Sequence, residues 1–110
     1  MPTSKKENST QGLVIAQAEK YEGQDWWKWS VWLEGPKTVM DQVETVTWHL
    51  HPTFPQPVQE LTNREESFKL NSGGWGTFWI RAEAKLRDGK VVKLRHELSL
   101  TYPDGTPNEE

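Results

Sequence analysis

The sequence predicts an all-β fold, an antiparallel β-sandwich of immunoglobulin type, on three observations. Apolar and polar residues alternate with period two through most of the chain, no segment sustains an apolar stripe at helical spacing, and turn signals built on Gly, Pro and Asp recur at short intervals. About six or seven short strands joined in this way are the signature of a sandwich.

The elements follow in order. Residues 13–21 form a first strand. Residues 26–34 form a second, with Trp27, Trp29, Val31 and Leu33 on one face and Trp26, Lys28, Ser30 and Trp32 on the other, and Gly35-Pro36 ends it. Residues 43–51 are a third, whose core face carries Val46, Trp48 and Leu50, with Thr45, Thr47, His49 and His51 opposite. Pro52, Pro55 and Pro57 then stop further pairing. A short strand is expected at 67–70. In residues 77–86, Phe78, Ile80, Ala82, Ala84 and Leu86 alternate with Thr77, Trp79, Arg81, Glu83 and Lys85. Asp88-Gly89 marks a hairpin, and residues 91–101 return with Val92, Leu94, His96, Leu98 and Leu100 inward.

Residues 12–102 thus make one domain, and 110 residues leave no room for a second. Residues 1–11 and 103–110 are polar and unpatterned, and are expected to be disordered tails or linkers to other domains of a longer chain. Only 34% of residues are hydrophobic, but seven tryptophans supply a large apolar area for the core. Thirteen Lys and Arg lie scattered among sixteen Asp and Glu, giving a net charge of −3, which argues against nucleic-acid binding through phosphates. No apolar run approaches the ~20 residues of a membrane span. The lack of cysteine removes disulfides, thiol nucleophiles and thiolate metal sites and suits a reducing compartment, so a cytoplasmic protein is expected; a monomer is also expected.

Two stretches carry the functional signal: Leu50-His51-Pro52-Thr53-Phe54-Pro55 and Gly73-Gly74-Trp75-Gly76-Thr77-Phe78. Each sets an aromatic ring beside groups that can hydrogen-bond an amide, and both fit loops at one end of a sandwich, where rigid sheets hold binding residues. With Trp29-Ser30-Val31-Trp32-Leu33-Glu34-Gly35-Pro36 they resemble the YEATS domain, the acyl-lysine reader family, and in particular its prokaryotic branch. The resemblance runs from about Tyr21 to Leu100, with the motifs in the family's order and spacing.

It implies a non-catalytic module, free of cofactor and metal, that takes an acylated-lysine peptide or protein. The acyl-lysine would thread between aromatic rings, Thr53 would hydrogen-bond its amide, a backbone N–H near Trp75 would meet its carbonyl, and His51 would shape the wall. The implied pocket is His51, Thr53, Phe54, Gly74, Trp75, Gly76 and Phe78. Thr53 stands where eukaryotic readers usually have serine, and Trp75 where many have tyrosine. The first loop reads Gly23-Gln24-Asp25-Trp26-Trp27, so Trp26 or Trp27 replaces the further aromatic that many readers place there.

Other readings compete at several of these positions. By periodicity alone Phe78 belongs to the core, and Gly73, Gly74 and Gly76 fit a bulge or a positive-φ turn as well as a binding loop. Trp29 and Trp48 read as core. His49 and His51 lie one residue apart on one side of a strand, but a zinc site would need His96 or carboxylates as further ligands, and His96 has the opposite phase. No G-x-S-x-G, P-loop or H-E-x-x-H motif supports an enzyme. Among binding modules the rivals are a carbohydrate-binding sandwich, which would use a coplanar row of exposed rings such as Trp26, Trp32, Trp75 and Trp79, and a protein-interaction or sensor module without acyl binding.

Overall fold

The computed structural model describes residues 10–108. Two antiparallel sheets face each other. One holds β1 (Val14–Gly23), β2 (Trp26–Glu34) and β5 (Leu70–Gly74) in the order β1-β2-β5. The other holds β3 (Val43–His49), β4 (Val58–Leu61), β6 (Trp79–Leu86) and β7 (Val91–Glu97) in the order β4-β3-β6-β7. A one-turn helix, α1 (Lys37–Met40), and a 3-10 turn, Arg64–Glu66, connect them. This is the sandwich that period-two patterning predicts.

The inner faces are those the alternation assigns. Trp27, Trp29, Val31 and Leu33 of β2 face Val46 and Trp48 of β3 and Ile80, Ala82, Ala84 and Leu86 of β6 across a buried apolar core. Small alanines on β6 leave room for the large rings opposite, as close packing requires. Leu98 and Leu100 continue the inward phase beyond β7 and are buried.

Several expectations are corrected. The strand expected at 67–70 starts later, at Leu70, and runs into Gly73 and Gly74, pairing Trp27 with Gly74 and Lys28 with Gly73. Ser67 and Phe68 instead adopt left-handed backbone, with φ of 56° and 59°. The conformation is unfavourable for a bulky residue, but Phe68 is fully buried and its carbonyl accepts a 2.9 Å hydrogen bond from Trp48 Nε1, which holds the bend in place. Pairing does not end at the prolines either: β4 resumes just after Pro57, with Val46 opposite Leu61 and His49 opposite Val58. It is an edge strand, the position where neighbouring prolines are tolerated.

The N-terminal tail expected at 1–11 lies, up to residue 9, outside the described residues. The tail expected at 103–110 is not loose through residue 108. Residues 101–107 close a small turn through the Thr101–Pro107 bridge, with Tyr102 N–H donating to the Thr106 carbonyl at 2.8 Å. The Thr106 backbone N–H, helped by its hydroxyl, holds the Asp104 carboxyl below the usual carboxylate range. Asn108 is then buried against the body of the domain.

Candidate functional site

A cleft of 460 Å³ opens at the end of the sandwich where the β1–β2 hairpin, the segment after β3 and the β5–β6 loop meet. It is lined by His51, Thr53 and Phe54 on one side and by Gly74, Trp75, Gly76 and Phe78 on the other. Trp26 closes the third wall. All the residues expected at the pocket therefore come together except Trp27, which is a correction.

Trp27 is fully buried. Its ring packs 4.9 Å from those of Tyr21 and Tyr102, and its Nε1 donates to the Thr101 carbonyl at 2.9 Å. The period-two phase that Trp27 shares with Trp29 places it inward, whereas Trp26, one residue earlier, points out and is 45% exposed. A register shift in the β1–β2 pairing at Tyr21/Gly23 and positive φ at Gln24 and Asp25 make the tight hairpin that presents Trp26. Gly73 seats its indole: a Cβ there would lie only 3.2 Å from Trp26 Nε1 and 3.0 Å from the Trp27 carbonyl oxygen.

Glycine here provides steric room, not a turn. The positive-φ glycines are Gly12, Gly23, Gly89 and Gly105, none of them at the cleft. A Cβ on Gly74 would point toward Trp29 Nε1 at 3.8 Å and Phe54 Cζ at 4.0 Å, into the space above the floor. That floor is a set of edge-on and tilted rings. Phe78 lies 5.9 Å from Trp29 and 5.3 Å from Phe54, and Trp29 lies 6.1 Å from Phe54. Phe78 thus packs on the core and lines the cleft at once. Trp75, by contrast, is 60% exposed and rises above the floor as a free wall. The sequence reading missed Gly73, Pro55 and Thr77 as lining residues and Trp29 as the support beneath.

The polar chemistry is concentrated at His51 and Thr53. The Thr53 backbone N–H donates to His51 Nδ1 at 3.2 Å, so that nitrogen presents its lone pair and the ring proton sits on Nε2. Thr53 Oγ1 lies 2.9 Å from the same Nδ1, whose single lone pair the N–H and hydroxyl of Thr53 would share. The lone pairs of Thr53 Oγ1 are left to accept a donor from the cleft. No carboxylate lines the cleft among the described residues.

His49 and His51 do not converge. His49 Nε2 lies 3.5 Å from Glu83 Oε1 on β6, and His96 Nε2 donates to Gln17 Oε1 at 2.7 Å across the sandwich. Among the described residues no group of three or more His, Cys, Asp or Glu side chains could hold a metal ion. The exposed rings form no coplanar row: Trp79 on one sheet is covered by the Arg95 guanidinium at 5.1 Å, and Trp32 on the other by the Lys69 ammonium at 5.3 Å. Only Trp26 and Trp75 converge, on the cleft.

The model of the prokaryotic YEATS domain matches residues 27–99, most of the chain. The chain belongs to the prokaryotic YEATS family. This YEATS domain is 28% identical over 88 residues to the protein AF-9 homolog of Saccharomyces cerevisiae, an alignment covering 74% of the chain and 38% of that protein. The chain therefore spans well under half the length of this curated relative.

Solved structures share the fold. The crystal structure of the yeast AF-9 homolog Yaf9 superposes with a TM-score of 0.70 at 22% identity, covering 90% of this chain and 80% of that one. The Yaf9 YEATS domain recognizing an H3K122suc peptide gives 0.68 at 23% identity, covering 90% and 86%. The Yaf9 YEATS domain bound to H3K27ac gives 0.61 at 21%, covering 88% and 74%. The YEATS sandwich is thus the frame on which this cleft is built. No described helix is long and apolar enough to cross a membrane.

Proposed function

We propose that the cleft binds an acylated lysine side chain of a peptide or protein, and that the domain is a reader and not an enzyme. The observation that carries this is the His51–Thr53 pair at the mouth of an aromatic slot. With His51 Nδ1 beside both the N–H and the hydroxyl of Thr53, Oγ1 keeps lone pairs toward the cleft as an acceptor, the complement of an amide N–H. The flat amide and acyl chain then lie between Trp75 and Phe54, over Phe78. A charged ammonium would be stripped of water there with no counter-charge, at a cost that acylation removes. The Yaf9 domains, whose ligands are H3K122suc and H3K27ac, support the choice of ligand class. The natural partner is an acylated protein, met by this domain alone or as part of a longer chain.

Thr53→Val keeps the shape of the side chain and removes the acceptor. It is expected to weaken an acetyl-lysine peptide by about 1 to 3 kcal/mol, read by isothermal titration calorimetry. Unchanged affinity would take Thr53 out of the site. Gly74→Ala tests the slot itself: its methyl meets neighbours only at ordinary contact distance, so the fold should hold while the methyl fills the slot. A roughly tenfold loss of affinity with an unchanged melting temperature is expected, in line with the usual cost of overpacking. Full binding by this variant would show that the ligand does not pass over Gly74.

A further inference from the structure

The C-terminal turn, expected to be a loose end, bonds to the backbone of one tryptophan wall of the cleft and to the residue before the other. Asn108 is only 9% exposed, and its Nδ2 donates to the Trp75 carbonyl at 3.0 Å. Its own backbone N–H donates to the Leu100 carbonyl at 2.8 Å, which ties it to the buried segment after β7. Six residues earlier in the chain, Tyr102 OH donates to Asp25 Oδ1 at 2.6 Å, and Asp25 is the residue before Trp26. The carboxylate and the partial burial push the Tyr102 phenol up to about 12, so it stays a donor throughout the working pH range. The Asn108 amide also acts on the Tyr102 phenol, pulling slightly against that rise, so the two contacts adjoin.

Trp75 needs such a hold. It is flanked by Gly74 and Gly76, lies in the loop after β5, and is largely exposed, so its ring has little packing of its own. A loop with glycine on both sides pays ordering entropy on binding unless something fixes it beforehand.

We propose that Asn108 is a positioning residue for the cleft: by holding the Trp75 carbonyl it sets the angle of the indole wall before a ligand arrives, with Tyr102 and Asp25 doing the same for Trp26. The assignment of the ligand rests on the acyl-lysine reading above, while the hold on the loop does not. Asn108 is not among the residues that line the cleft and acts through Trp75.

The test uses Asn108→Ala and the near-isosteric Asn108→Asp, which keeps the shape and loses the donor. In the ligand-free domain, both are expected to shift the Gly76 amide and speed its hydrogen exchange. Affinity for an ε-crotonyl-lysine peptide should fall about five- to tenfold, the usual effect of one lost hydrogen bond. In the unsubstituted protein, one Nδ2 proton of Asn108 should exchange slowly, a readout that holds even if both variants fold poorly. Fast exchange of both Nδ2 protons, an unmoved Gly76 amide, or unchanged peptide affinity in the variants would each overturn the proposal. If the unsubstituted domain binds neither crotonyl nor acetyl peptide, the acyl-lysine reading falls. The Gly76 amide and the Asn108 exchange rate then still decide whether Asn108 fixes the loop.

Discussion

Trp75→Ala is expected to abolish measurable binding of acyl-lysine peptides while leaving the melting temperature within a few degrees of the unsubstituted protein. The ring is 60% exposed in the free domain, so its removal opens no cavity, and substitutions at such positions usually change stability by no more than about 0.5 kcal/mol. In the proposed complex the same ring would cover one face of the ligand amide. Aromatic anchors in that position typically contribute about 2 to 4 kcal/mol, or roughly 30- to 1000-fold in affinity. Trp75→Tyr should retain most of the binding, since it keeps a stacking face. Calorimetric titration with an acetyl-lysine peptide, beside thermal melts, separates the two effects. A large loss of thermal stability would make Trp75 a core residue, contrary to the geometry.

Trp48→Ala is expected to have the opposite profile and the largest effect on the fold. Trp48 is fully buried between the sheets, and its Nε1 donates to the Phe68 carbonyl at the left-handed bend before β5. Truncation removes a large apolar volume and orphans that carbonyl. The expected cost is about 3 to 5 kcal/mol, a large share of the ~5 to 15 kcal/mol that holds an ordinary domain together. Trp48→Phe isolates the hydrogen bond: most of the apolar surface stays, and about 1 to 3 kcal/mol should be lost. Urea denaturation reads both. A cost for Trp48→Ala below about 1 kcal/mol would contradict its place in the core. Because β5 carries Gly73 and Gly74 into the cleft, this one indole links the stability of the sandwich to the shape of the site.

The sheets were legible because period two is a direct consequence of the pleat. The inward faces of β2, β3 and β6 follow from it residue by residue, down to Trp27 and Trp29 pointing in while Trp26 points out. The same rule excludes Trp27 from the cleft, where the first-loop likeness had kept it as a candidate. What escaped the pattern has local causes. Ser67 and Phe68 take left-handed backbone with no glycine to announce it, and this displaces the start of β5. The four residues of β4 are too few, and too close to Pro57, for alternation to register. The closing turn after Thr101 rests on side-chain bonds of Asp104, Tyr102 and Asn108 that no periodicity encodes.

The cleft was more legible than the loops that build it. Both signature stretches pair an aromatic ring with small or hydroxyl neighbours, and the structure brings them together at one end of the sandwich. Trp29 escaped as a component of the site because a buried ring beneath a pocket has the same sequence phase as any core residue. The direction of the Thr53 hydroxyl also lay beyond the sequence, since it depends on which ring nitrogen of His51 carries the proton.

The central claim is that this end of the sandwich distinguishes acylated from unmodified lysine, and an NMR titration of the isotopically labelled domain tests it most directly. Lysine peptides bearing acetyl, crotonyl or no acyl group would be added in turn. Acyl-dependent shifts are expected at residues 51–54 and 73–78 and at the Trp26 indole, with none for the unmodified peptide. Equal shifts for all three peptides, or silence at millimolar concentration, would contradict an acyl-lysine reader and leave a protein-interaction module on the same fold.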